Sequence, residues 1–194
     1  MRASCQVPRW LSGRAGDFSS AAVGRRYRRS VASPSGFTVA PTPASDTYPL
    51  RAAVLHGGAP PEAAKVAGDD HPGVITFAAR DVDGAVVGCA GLFPERCPDL
   101  PDHHGQGWRV RRVATAPEWR GRGVGAAVVS AVIAHAEDRG PGLVWCNATP
   151  SGQRLFARAG FEQLGEPWVD QEFGPNVRMW RTVSIRPVTE GPTS

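Results

Sequence analysis

Lysine is almost absent from this chain: Lys65 stands alone among 194 residues that include 21 arginines. The one glycine-rich turn therefore lacks the Gly-Lys-Ser/Thr ending that a Walker A phosphate loop requires. Cysteine is sparse. Cys5, Cys89, Cys97 and Cys146 form no Cys-x-x-Cys pair, so neither a zinc knuckle nor a thioredoxin-type redox pair is written into the spacing. Long apolar runs are missing too. The longest, Val124 to Ala136, is thirteen residues and is broken by Ser130 and His135. A membrane-spanning helix needs ~20, so no membrane association is expected. Gly (23) and Pro (18) are frequent but follow no triplet period, which excludes a collagen-like chain. With 41% hydrophobic and 21% charged residues, the composition is that of an ordinary globular domain.

Acids are nearly missing from one region only. Residues 1–36 carry seven arginines against Asp17, a net +6, which leaves about −2 on the remaining 158 residues of a chain whose total is +4. The basic isoelectric point thus belongs to the tail, and a nucleic-acid partner is not expected of the folded part. Residues 1–36 show no hydrophobic period and read as a disordered basic extension. Their composition suits an organelle leader or, better, translation begun too early in a GC-rich gene. The folded domain is expected over 37–186, with 187–194 as a flexible C-terminal tail. Cys89 and Cys146 sit in apolar runs as small buried thiols. A chain this long needs no disulfide framework, so a reducing, cytoplasmic setting is expected.

Hydrophobic periodicity lays out the domain. Phe37 to Val39 reads as a short strand. Asp46-Thr47 offers a helix N-cap, with Leu50, Ala53 and Val54 as the buried stripe and Gly57-Gly58 as the stop. Residues 58–72 are turn-rich. Val74–Ala79 and Ala85–Phe93 read as a hairpin around Asp83-Gly84. A polar loop, 94–107, holds Glu95, Asp99, His103 and His104, and Trp108–Thr115 is the next strand. Val124–Arg139 is apolar nearly all round, which predicts a helix buried on more than one side, with His135 as a core histidine. Leu143–Cys146 is a buried-type strand. Thr149-Pro150 opens a helix that ends at Gly160. Phe161–Val169 and Val177–Val183 close the order, with Gly174-Pro175 between them. This is an α/β domain with a mixed, mostly antiparallel sheet and flanking helices.

The chemistry concentrates in Val113-Ala-Thr-Ala-Pro-Glu-Trp-Arg-Gly-Arg-Gly-Val-Gly-Ala126. A strand leads into glycines and a helix follows at once. Glycine lets the backbone approach a ligand closely, and the free N–H groups of a helix start attract anions. Arg120 and Arg122 add forked donors. Gly121, Gly123 and Ala126 fit a dinucleotide fingerprint, but five residues separate them from the strand, and Cys146-Asn147 stands where an acid is wanted. Arg120, Gly123 and Gly125 fit a second pattern, Arg/Gln-x-x-Gly-x-Gly/Ala.

Taken with the segments that follow it, this stretch resembles the acetyl-CoA-binding motif of the GCN5-related N-acetyltransferases (GNAT). Leu143-Val-Trp-Cys-Asn-Ala148 and Leu155-Phe-Ala-Arg-Ala-Gly-Phe161 are similar to the family's next strand and helix. Phe173-Gly-Pro-Asn-Val-Arg-Met-Trp180 resembles the closing strands of a bacterial subgroup. The resemblance implies the acyl-CoA N-acyltransferase fold, acetyl-CoA as co-substrate and direct acetyl transfer to an amine on a small molecule or protein. It implies that Arg120, Gly121, Arg122, Gly123, Val124, Gly125 and Ala126 cradle the pyrophosphate. Val113, Ala114 and Thr115 would run beside the pantetheine arm, and Thr149 and Phe156 would lie near the thioester.

The chain departs from that pattern at three positions. Phe156 stands where a Tyr often serves as acid, Asn176 replaces a His, and Thr149 replaces a frequent Arg. These changes favour a rival reading, a weak or inactive acyl-CoA sensor of the same fold. Glu95, on the loop before the coenzyme strand and nearest a strand end, is the candidate general base, with Asp99, His103 and His104 as alternatives. No metal site is expected, because adjacent histidines rarely converge on one ion. Monomer and homodimer fit equally.

Overall fold

The computed structural model describes residues 36–171 and 174–184. The expected extension over 1–36 and tail over 187–194 fall almost wholly outside them. Seven strands form one sheet: β1 (Phe37–Thr42), β2 (Ile75–Asp81), β3 (Val86–Pro94), β4 (Gln106–Thr115), β5 (Gly142–Ala148), β6 (Glu162–Asp170) and β7 (Gly174–Val183). Their order across the sheet is β1-β2-β3-β4-β5-β7-β6. All neighbours are antiparallel except β4 and β5, which run parallel. A parallel pair needs a crossover, and α2 (Val124–Asp138) supplies it.

Helix α2 and α3 (Pro150–Arg158) cover one face. Val124, Val128, Val129, Val132 and Ala136 pack there with Phe77, Trp108 and Val110, and Phe156 joins Phe161, Val177 and Met179 in the same core. Only Ala126, Ser130 and Asp138 of α2 are exposed, so the helix is buried nearly all round as its composition requires. Gly88 of β3 makes room for the start of α2: a Cβ placed there would lie 2.3 Å from a Val124 methyl. His135 lies in this core with its ring edge-on to Phe77 and Trp108.

Helix α1 (Tyr48–Leu55) covers the other face, where Leu50 meets Cys89, Ala114 and Ala116. Its phase differs from the expected one. The helix buries Leu50, Arg51 and Ala52 and exposes Ala53. Arg51 donates to Asp69 at 2.9 Å, both side chains being fully buried, and this ion pair turns a charged residue inward. The expected Asp46-Thr47 cap is also not made. The Thr47 hydroxyl donates to the Ala44 carbonyl, and Asp46 binds Arg80 at 2.7 Å. Gly174-Pro175, expected between strands, lies inside β7, because pairing with β6 extends to Asp170 and Gly174. Cys89, Cys97 and Cys146 are buried and unbridged. Among the described residues no helix is long and apolar enough to cross a membrane.

Two stability predictions follow from this core. Gly88→Ala forces its new methyl onto Val124, an overpacking defect that costs about 1–3 kcal/mol and lowers the calorimetric Tm. Burial pushes the His135 imidazole from its ordinary 6.5 down to about 4. The unfolded chain therefore takes up this proton at higher pH than the folded one. Stability from this group is full above about pH 6.5 and drains as pH falls towards 4. Thermal melts across that window show the decline in the wild type and a flatter profile in His135→Leu.

Candidate functional site

The site begins where two parallel strands separate. β4 and β5 pair only from Gln106–Gly142 to Arg109–Trp145. Beyond that point β5 continues on β7 to Ala148 and β4 continues on β3 to Thr115. The edge of β4 that faces β5 therefore has no strand partner over 110–115. Such an edge presents unpaired N–H and C=O groups to any extended ligand.

A β-bulge sharpens the separation. Gly91 pairs with Arg111 and Cys89 with Ala114, so Arg112 and Val113 together stand opposite Ala90. Arg112 takes φ +58°, the one left-handed non-glycine among the described residues. A bulge adds local twist and re-aims the side chains that follow it. Trp108 and Val110 face α2 before the bulge, and Val113 packs on that same face after it, whereas Ala114 joins the α1 side.

β4 then runs into the glycine turn. A 3₁₀ turn, Pro117–Trp119, hands the chain to Arg120, and Gly121 and Gly123 adopt φ +75° and +84°. Nothing lies within 4 Å of where their Cβ atoms would be, so the turn is open to solvent. Arg120, Gly121, Arg122, Gly123 and Ala126 are exposed, and the Arg122 guanidinium rests 5.0 Å over the Trp119 ring. Helix α2 starts at Val124 with no side-chain cap and no acid in its first turn. Its leading N–H groups and positive dipole end are thus uncancelled by any local carboxylate.

Helix α3 closes the third side. A Cβ on Gly125 would touch Leu155 and the Thr115 hydroxyl, each at 3.4 Å. Hence β4, the first turn of α2 and α3 converge on that glycine. Thr149 occupies the N-cap position of α3 without a capping bond, its hydroxyl meeting that of Ser151 at 3.1 Å. Phe156 is buried against Phe161 at 5.2 Å. The end of β4, the start of α2 and helix α3, which carries Thr149 at its N-cap and Phe156 in its last turn, thus adjoin one another at Gly125.

The loop acids and histidines are not gathered in the same way. Glu95 accepts from Arg109 at 2.9 Å and lies 4.0 Å from Arg111. Asp99 pairs with Arg178 at 2.5 Å. His103 is partly buried and its carbonyl accepts from Arg96, while His104 is exposed. Among the described residues no group of three His, Cys, Asp or Glu could hold a metal. Asn176 is buried, its amide donating to the Gly174 carbonyl.

The candidate residues that the sequence reading passed over are basic. Arg109 lies 4.5 Å over Trp145, Arg111 lies 5.3 Å over Phe93, and Arg178 stacks on Trp145 and Trp168. Arg109 and Arg111 alternate with Trp108 and Val110 along β4 and so lie on the sheet face opposite α2. Burial lowers the pKa of Arg111, with Arg109 adding to it, and pushes Arg112 down to about 10, with Arg111 adding to it. The signal was present in Trp108-Arg-Val-Arg-Arg-Val113. Arginine alternates with apolar residues and the alternation then slips by one.

Known proteins converge on the same architecture. The model of the acetyltransferase (GNAT) family matches residues 45–161. The uncharacterized N-acetyltransferase YitI of Bacillus subtilis (strain 168) is 29% identical over 142 residues, 71% of this chain and 91% of that protein. Among solved structures, a histone acetyltransferase HPA2 and related acetyltransferase from Corynebacterium glutamicum aligns with a TM-score of 0.56. That alignment has 24% identity and covers 79% of this chain and 99% of the other. The ribosomal-protein-alanine N-acetyltransferase of Brucella melitensis aligns with a TM-score of 0.57 at 18% identity, covering 75% and 99%. With more than half of its length matched by the family model, and with the sheet, turn and helices in place, the chain belongs to the GNAT family of N-acetyltransferases.

Proposed function

We propose that the protein transfers an acetyl group from acetyl-CoA directly to an amine while both are bound. The observation that carries this reading is the junction at Gly125, where the unpaired edge of β4 meets an uncapped, glycine-lined helix start. The donor set suits the coenzyme. A pyrophosphate matches the free N–H groups of α2 together with Arg120 and Arg122, and the open space at Gly121 and Gly123 lets the backbone come close. A pantetheine arm matches the β4 edge at Val113, Ala114 and Thr115 as an added strand would. Thr149 and Phe156 border the far end of that path. When bound, acetyl-CoA supplies an activated acyl group on a good leaving thiolate.

The residues of this chain then have separable tasks. Backbone N–H groups of the free β4 edge steady negative charge on the reacting oxygen in this reading. Phe156 has no hydroxyl, so it excludes water and donates nothing, and the departing thiolate takes its proton from solvent. The attacking amine must be neutral, and its proton passes to water or a carboxylate. Glu95 is the loop carboxylate nearest a strand end, yet one of its oxygens is held by Arg109 and the other is buried beside Arg111. We assign it the task of holding these two guanidiniums in place. The three buried free thiols favour a reducing, cytoplasmic setting. A second reading, an acyl-CoA sensor, is favoured by the buried, hydroxyl-free Phe156 and is separated by turnover.

Two experiments test these assignments. Asn and Asp both tolerate the left-handed conformation at Gly123, so Gly123→Asn and Gly123→Asp differ mainly in charge. By calorimetry, acetyl-CoA binding weakens modestly in the first and at least about tenfold more in the second, as a charge facing the pyrophosphate costs at least ~1.4 kcal/mol. Equal effects in the two variants would separate the turn from the phosphates. For Glu95→Gln, steady-state kinetics give a raised KM for the acceptor with kcat within about tenfold of wild type. A general base would instead cost ~10²–10⁴ in kcat.

A further inference from the structure

Three guanidiniums follow one another along β4 up to the bulge, Arg109, Arg111 and Arg112, and Arg51 of α1 adds its charge to those acting on Arg112. Two carboxylates answer them. Asp69 is taken by Arg51, with both side chains fully buried, and also accepts from the Val66 amide. Glu95 is taken by Arg109. The group is left with an excess of two positive charges. They sit on Arg111, whose nearest carboxylate oxygen is 4.0 Å away, and on Arg112, which makes no ion pair among the described residues. The Arg112 Nε is buried with no hydrogen-bond partner.

An uncompensated, partly buried charge is costly, and a core would more cheaply hold an apolar side chain here. These two arginines are also fixed in aim. Arg111 rests on the Phe93 ring, and Arg112 occupies the left-handed position of the bulge. They lie directly before Val113, within the stretch 110–115 where the strand edge facing β5 is free. A group bound to them lies within a few residues' rise, ~3.3 Å each, of that edge. The phosphate-type donors at the start of α2 follow the strand's other end, past Thr115, so the coenzyme's charges are provided for separately.

We infer that the acceptor is an amine that also carries a carboxylate, and that Arg111 and Arg112 receive that carboxylate. The inference rests on the acetyl-transfer reading above and adds the substrate class to it. Guanidinium suits the task because its planar fork matches the two carboxylate oxygens. Glu95, by engaging Arg109 rather than Arg111 at close range, leaves the latter's fork open to the acceptor. An acceptor bearing further positive charge, such as a diamine, meets repulsion at the same place.

The test uses the full-length protein. Acetyl-CoA binding is first measured by calorimetry. Thiol release is then followed with a panel of free amino acids, the same amino acids as primary amides, and aliphatic diamines. The expected result is a kcat/KM for the best acids at least about tenfold above their amides, the scale of one charge-assisted hydrogen bond. Diamines are poorer still. Arg111→Gln brings the acid-to-amide ratio to within about twofold of one, and Arg111→Lys restores part of it. Preference for amides or diamines by a wild type that binds acetyl-CoA overturns the inference and leaves the transferase reading standing. So does an unchanged ratio in folded Arg111→Gln, or a loss of its acetyl-CoA affinity, which would put the guanidinium on the coenzyme. Failure of the wild type to bind acetyl-CoA overturns the transferase reading itself. Should Arg111→Gln fail to fold, the wild-type panel alone decides.

Discussion

Everything in this site depends on two parallel strands that stop pairing halfway along their length. β4 and β5 share hydrogen bonds only up to Arg109 and Trp145, and each then follows its other neighbour. Beyond that point β5 stays paired to β7 and β4 to β3, while the backbone groups on the two facing edges have no strand partner. The result is a strand edge in the middle of a sheet, where edges are normally absent. A terminal edge is exposed to unwanted strand addition. This one lies inside the sheet, and its far end at Thr115 meets the first turn of α2 and Leu155 of α3 at Gly125.

The bulge at Arg112 and the close approach at Gly88 are the means by which that opening is held. Two residues opposite one shift the phase of β4, so Val113 returns to the α2 core and Ala114 packs under α1. Gly88 lets the first residue of α2 descend onto β3, which fixes where the helix start sits relative to the β4 edge. Both determine whether backbone donors and side chains point at the same place, and overpacking or loss of the left-handed residue would disturb that alignment.

Charge is handled almost wholly by arginine, and the structure shows a reason. Arg109, Arg111, Arg122 and Arg178 each rest on an aromatic face within about 5 Å, a contact that a flat, delocalised guanidinium makes well. Stacking leaves the in-plane N–H donors available at the rim. A lysine ammonium, more strongly hydrated and mobile, would not be held in this way. The buried Arg51–Asp69 pair belongs to the same pattern. It ties α1 to the loop after the 3₁₀ turn Pro61–Ala64.

Local signals were enough for much of this protein. The alternation of β2 and β3 around Asp83-Gly84, the all-round apolar pattern of α2, the Thr149-Pro150 helix start and the glycine turn each depend on neighbours within a few residues. Their order along the chain carries the family resemblance. What the sequence by itself could not determine is which distant charges meet. Arg51 turns inward only because Asp69, eighteen residues on, meets it in the core, and the stripe of Leu50, Ala53 and Val54 gave no sign of that. Glu95 reads as one of several polar loop residues, with Asp99, His103 and His104, until β4 brings Arg109 and Arg111 beside it. Periodicity records burial along one element, whereas ion pairing and net local charge depend on elements far apart in sequence. Tertiary structure alone decided that the acid expected to move a proton stands among arginines.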